Sequence, residues 1–195
     1  MKHPYHLIAL VLACAALLQG CAGAVVSGAA TGAATVHDRR SVGTVIDDEV
    51  IELKAADSLF SDQELYDNTH INVTSYNNIV LLSGEAPNES LRGRIYANVS
   101  KIQKVRKIHN EIAIAAPSSL LTRSSDSLVT SKVKFKFFNI EGLKGFDPTR
   151  VKVVTENGTV YLMGLLTRDE AEAVTAVTRT VSGVQHVVLL FEYLN

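Results

Sequence analysis

The 195-residue sequence has no tryptophan, only four prolines and two cysteines, and 6% aromatic residues. The scarcity of cysteine restricts most. Cys14 lies inside an apolar N-terminal run, so a chain processed before Cys21 would keep one thiol. That excludes an intramolecular disulfide and a thiolate metal site. A membrane-spanning run is also missing from the N-terminus: residues 7–18 are twelve apolar residues, against the roughly 20 that a permanent membrane helix needs. Charge of one sign is absent too. With 19 basic and 20 acidic side chains the net charge is −1, which leaves no basic stripe and excludes nucleic acid as a partner. His37, His70, His109 and His186 stand at no metal-ligand spacing. There is no Gly-x-Ser-x-Gly, no phosphate loop and no nucleophile–base pair. Neither a cofactor nor an enzymatic activity is expected.

What is present starts with a signal. Lys2 and His3 precede the apolar run, which has the length of a signal-peptide core. Leu18-Gln19-Gly20-Cys21 follows directly and resembles a bacterial lipobox. The competing reading is an ordinary small-residue cleavage site with an incidental cysteine. Against it, Leu18, Gly20 and Cys21 all fall in register after the core. We therefore expect a signal peptide over 1–20 and lipidation at Cys21. Several acyl chains at about 0.8 kcal/mol per buried methylene make a firm anchor. Ala22, with no retaining aspartate, directs such a lipoprotein to the outer membrane, facing the periplasm. Residues 21–45 read as a flexible tether, mostly Ala, Gly, Val, Ser and Thr up to Thr35, with a short charged break at 37–40.

The rest of the chain repeats itself. Val73, Asn77, Val80, Leu82 and Gly84 recur 80 positions later as Val153, Asn157, Val160, Leu162 and Gly164. Ile102, Val105 and Ile108 recur at 79 as Val181, Val184 and Val187, and Val50 and Lys54 recur at 78 as Leu128 and Lys132. Three blocks in one order define two copies of one domain, at 46–116 and 117–195. Asn157-Gly158 between β-rich runs predicts a two-residue hairpin, and Asn77-Asn78 is compatible with the same turn. Thr167 and Glu170 match a capping box before a helical apolar face of Ala171, Val174, Val177 and Val181. Asp47, Asp48 and Glu49 read as the acidic start of a helix. Each copy reads α-β-β-α-β, an α+β unit of a three-stranded mixed sheet packed against two helices.

This pattern resembles the BON domain. Two such domains behind a lipobox resemble the dual-BON outer-membrane lipoproteins. The likeness is closest at Ser41-Val42-Gly43-Thr44, Ile71-Asn72-Val73-Thr74, Val154-Thr155-Glu156-Asn157-Gly158 and Tyr161-Leu162-Met163-Gly164-Leu165. The resemblance implies a non-enzymatic lipoprotein that binds anionic phospholipid through its second domain, gathers at division sites and supports outer-membrane integrity. Lys104 departs from the family, standing where the repeat has Gly183.

The stretch 127–138 alternates lysine and hydrophobe like a strand, but its repeat partner 50–60 is a good helix former, so a helix is expected. Val129, Val133 and Phe137 then share the core stripe, matching Ile51, Ala55 and Leu59. Leu128 and Phe135 fall on another face, with Lys132 and Lys136 between it and the core. Rings and aliphatic chains bordered by ammonium groups suit an anionic lipid surface. The candidate phospholipid-binding residues are Leu128, Val129, Lys132, Val133, Phe135 and Lys136. Where such family members insert an aromatic ring, this chain has Leu128. The alternative is that Leu128 and Phe135 pack against the first domain or against residues 139–148, where Leu143, Lys144 and Phe146 form a further candidate lipid-contacting loop. Charge favours the second domain for lipid: 46–116 carries seven basic and eleven acidic residues, net −4, and 117–195 carries nine and eight, net +1. An interaction scaffold that binds envelope proteins is the second functional reading.

Overall fold

The computed structural model describes residues 38–194. Domain 1 begins with helix α1 (Val42–Phe60), a short helix α2 (Gln63–Asn68) and the hairpin β1 (His70–Tyr76) and β2 (Ile79–Ala86). Helix α3 (Glu89–Val99), strand β3 (Lys107–Asn110) and the two-residue β4 (Ala113–Ile114) complete it. Domain 2 has α4 (Leu120–Phe137), β5 (Val151–Glu156), β6 (Thr159–Leu166), α5 (Arg168–Arg179) and β7 (His186–Tyr193). In each sheet the hairpin is antiparallel and the last strand joins the middle one in parallel. The α+β class and the mixed sheets are as expected; α2 and β4 are additions confined to domain 1.

The turns follow from residue type. Asn77 and Asn78 sit at φ 52° and 62°, and Asn157 and Gly158 at 47° and 73°, the left-handed pair that a two-residue hairpin needs. A buried aspartate closes each turn from the first helix of its domain. Asp48 accepts from the backbone N–H groups of Asn77 and Asn78 at 2.8 and 2.7 Å. Asp126 does the same for Asn157 and Gly158 at 2.9 and 3.0 Å. The acidic run at 47–49 is therefore not a helix start: α1 begins five residues earlier, capped by Ser41, whose Oγ accepts from the N–H of Thr44. Thr167 and Glu170 form the expected capping box on α5.

Both faces of both sheets are covered. Val80 and Leu82 on β2 pack with Ile51, Ala55, Leu91 and Ile95 of the helices, and Val160 and Leu162 on β6 pack with Val129, Val133, Phe137 and Val174. The alternate residues form a third core in which Tyr76, Ile79 and Leu81 meet Tyr161 and Met163. The two sheets thus stand back to back, and the helices form the two outer layers. Five buried side chains at roughly 1.5–3 kcal/mol each make this joint about half the size of either domain core. It explains why β2 is buried along its whole length, Ser83 and Glu85 included, with no polar alternation over 79–82.

Residues just before α1 belong to the folded unit, not to the tether expected over 21–45. Arg39 forms a bidentate pair with Glu170 at 2.5 and 2.8 Å and donates to the carbonyl of Leu165 at 3.0 Å. Burial pulls the Glu170 carboxyl upward, but the Arg39 hydrogen bonds and charge and the Thr167 N–H outweigh it and hold it low. Arg40 bridges Asp38 and Asp48 and lies over the Tyr76 ring, 3.9 Å from its centroid.

Carboxylates also cross the joint. Asn72 donates to Glu156, and Asn157 donates to Glu85, each across the domain boundary. Burial pushes Glu156 up, the hydrogen bonds from Asn72 and Ser83 oppose this, and the charges of Glu85 and Asp126 add to the rise. His70, itself held down by burial and by Arg123, lies 3.9 Å from Glu156. A carboxyl whose folded pKa exceeds its unfolded value costs stability as pH rises from 4.5 through the raised folded value. Glutamine keeps the acceptor without the charge. Glu156→Gln is therefore expected to raise the midpoint of thermal unfolding near neutral pH, with the gain vanishing below about pH 4; calorimetry across pH measures this.

Candidate lipid-facing helix

The helix that carries the predicted site is longer than its sequence pattern indicated. It starts at Leu120, capped by Ser119, whose Oγ accepts from the N–H of Thr122, and it ends with Lys134 and Lys136 in its last turn. Cations there complement the helix dipole. Its inner face is Asp126, Val129, Val133 and Phe137. Asp126 binds the hairpin turn, and Thr130 Oγ1 donates to Thr155 Oγ1 at 2.7 Å. These contacts fix the rotation of α4, and with it the direction of the outer face.

Leu128 and Phe135 are 63% and 70% exposed. They lie on a different face of α4 from Arg123, Ser127 and Thr130, which line a cleft with His70, Asn72 and Val73 of domain 1. Lys132, Lys134 and Lys136 are exposed as well. Val129 and Val133, counted among the lipid-binding candidates, are 4% and 0% exposed and lie in the core of domain 2. That removes them from the lipid-facing set: a side chain spaced four residues from Phe137 faces the sheet. Phe146 is corrected likewise, since it and Ile140 pack against the same core, which takes the ring out of the proposed loop contact. Leu143 is half-buried and Lys144 exposed. Cys21 and the signal lie outside the described residues.

Sequence reasoning missed three members of the outer face. Leu120, Leu121 and Phe138 are all exposed. On a helix of about 100° per residue, Leu120, Leu128, Phe135 and Phe138 fall within about 80° of one another. Lys132 borders this stripe on one side and Lys134 on the other. The repeat held the signal: 78 residues earlier stand Val42, Val50 and Phe60, at matching places on α1. Among the described residues no helix is long and apolar enough to cross a membrane, and no three His, Cys, Asp or Glu residues are arranged to hold a metal. The arrangement is an exposed apolar stripe with a cation on either side.

The fold defines a tandem α-β-β-α-β protein. The BON-domain family matches the chain twice, over residues 47–116 and 125–195, and the chain belongs to that family. Outer membrane lipoprotein DolP of Haemophilus influenzae is 35% identical over 192 residues, 98% of either chain. The 21 kDa hemolysin of Actinobacillus pleuropneumoniae is 38% identical over 158 residues, 81% of this chain and 80% of that protein. Among solved structures, the C-terminal domain of CdsD, a structural protein of the Chlamydia trachomatis type III secretion system, aligns over 76% of this chain and 67% of its own. Its identity is 16% and its TM-score 0.30. The near full-length match to an outer-membrane lipoprotein places this chain at the outer membrane, facing the periplasm.

Proposed function

We propose that domain 2 binds anionic phospholipid through the outer stripe of α4, as a second membrane contact beside a lipidated Cys21. The observation that carries this reading is the run of exposed apolar side chains, Leu120, Leu121, Leu128, Phe135 and Phe138, bordered by Lys132 and Lys134. Leucine and phenylalanine enter the acyl boundary while the ammonium groups meet phosphates, at about 1 kcal/mol per basic residue near an anionic surface. An anchor that already holds the chain at the bilayer makes this second contact intramolecular, so a weak site suffices. The protein is a binding protein rather than an enzyme, and its role is to support outer-membrane integrity, at division sites in particular.

The test is sedimentation of the chain from residue 22 onward, which lacks the anchor but retains every core residue described above. It is expected to pellet with phosphatidylglycerol vesicles and to stay in solution with phosphatidylcholine vesicles. Failure to pellet with either favours the second reading, a scaffold for envelope proteins without direct lipid recognition.

A further inference from the structure

We propose that the outer face of α1 is a docking site for a basic amphipathic helix of a partner protein. Val42, Ile46, Leu53 and Phe60 fall within about 40° of one another on α1, opposite the buried Asp48, Ile51 and Ala55, and all four are exposed, Leu53 by 69%. Phe60 continues onto α2 through Tyr66, ring centroids 5.5 Å apart. Alongside runs a groove of about 880 Å³, lined by Leu53, Phe60 and Tyr66 and rimmed by Glu49, Glu52 and Asp67, with His70 and Arg123 also at its wall. The surface is thus built like that of α4, on the equivalent helix, with the charges reversed. Of the acidic residues of α1, Asp47, Asp48 and Glu52 pair with Lys104, Arg40 and Lys152, and the exposed Glu49 and Asp57 flank the apolar stripe on either side.

Those signs select the occupant. An anionic bilayer is repelled by Glu49 and Asp57, whereas lysines or arginines flanking an apolar helical stripe meet them. Because the sheets stand back to back, α1 and α4 lie in different outer layers, although Arg123 of α4 lines the groove beside α1 and Glu52 of α1 pairs with Lys152 of domain 2 at 2.8 Å. With α4 on lipid, which rests on the function proposed above, the stripe of α1 in the other outer layer is left for a partner. Helix α4 of a second copy has the same signs, but the lipid occupies it under that reading.

The experiment uses fluorescence anisotropy of a synthetic helical peptide of about five turns, leucines on one face and lysines beside them, and an isomer with glutamates for the lysines. The chain from residue 22 is expected to bind the lysine peptide at least roughly tenfold more tightly than the glutamate isomer. Leu53→Glu should lose that binding yet pellet with phosphatidylglycerol vesicles as before, and Leu128→Glu should do the reverse. Equal binding of both peptides, or undiminished binding by Leu53→Glu, overturns the docking site while leaving the lipid site standing. Loss of vesicle binding in Leu53→Glu would make α1 part of the membrane face and overturn it too. So would concentration-dependent self-association of the free chain that Leu53→Glu abolishes, since the occupant would then be a second copy.

Discussion

Gly84→Ala is expected to remove more than about 3 kcal/mol of stability, a loss seen only when a specific structural constraint is broken. Gly84 lies opposite Ile71 in the first hairpin at φ +108°, and a Cβ there would stand 2.0 Å from the carbonyl oxygen of His70. That neighbour is backbone, so no side-chain rotation relieves the contact. The conformation adds its own cost for any L residue, about 1–2 kcal/mol in the left-handed region. Relief requires β1 to move away from β2, and β1 carries Tyr76 and Asn72 into the joint with domain 2. Gly164, the repeat's counterpart, is the control: its Cβ would meet the carbonyl of Arg150 at 3.0 Å without a positive φ. Urea unfolding should show a large fall in midpoint for Gly84→Ala and a clearly smaller one for Gly164→Ala. Equal losses would mean that strain at Gly84 is not what the first hairpin depends on.

The second large effect concerns function without stability. Leu128→Glu and Phe135→Glu, singly or together, are expected to abolish pelleting with phosphatidylglycerol vesicles. Each replaces an apolar group that leaves water on binding with a charge that the anionic surface repels, and neither side chain supports the fold. Surface substitutions of this kind change stability by about 0.5 kcal/mol or less, so thermal unfolding should stay put. Val129→Glu makes the contrast. That side chain lies in the core, so the variant should fail by unfolding rather than by losing affinity. Unchanged pelleting of the folded double variant would remove α4 as the lipid contact.

Much of this was legible because the chain is written twice. The strand-like alternation of Lys132, Val133, Lys134 and Phe135 is ambiguous alone, and the repeat partner without alternation resolves it to a helix. The Asn157-Gly158 turn and the Thr167 capping box are local devices and were readable locally. The start of α4 was not: Leu120 and Leu121 sit among serines and threonines, and only the capping geometry of Ser119 and Ser41 marks both helix starts. Asp48 and Asp126 recur at offset 78, but an aspartate's use as the acceptor for a distant hairpin turn is a tertiary fact. Strand β2 is buried along its whole length, yet nothing local says that the cover on one face is β6. That joint leaves α1 and α4 in the two outer layers.

The absence of tryptophan allows one direct measurement of whether Leu128 enters lipid. Leu128→Trp gives the chain a single indole at the centre of the proposed contact, on a side chain already 63% exposed. With phosphatidylglycerol vesicles its emission is expected to shift to the blue and to become shielded from an aqueous quencher, while Leu53→Trp stays red and quenchable. A Leu128→Trp chain that pellets with the vesicles while its indole remains in water would contradict the account.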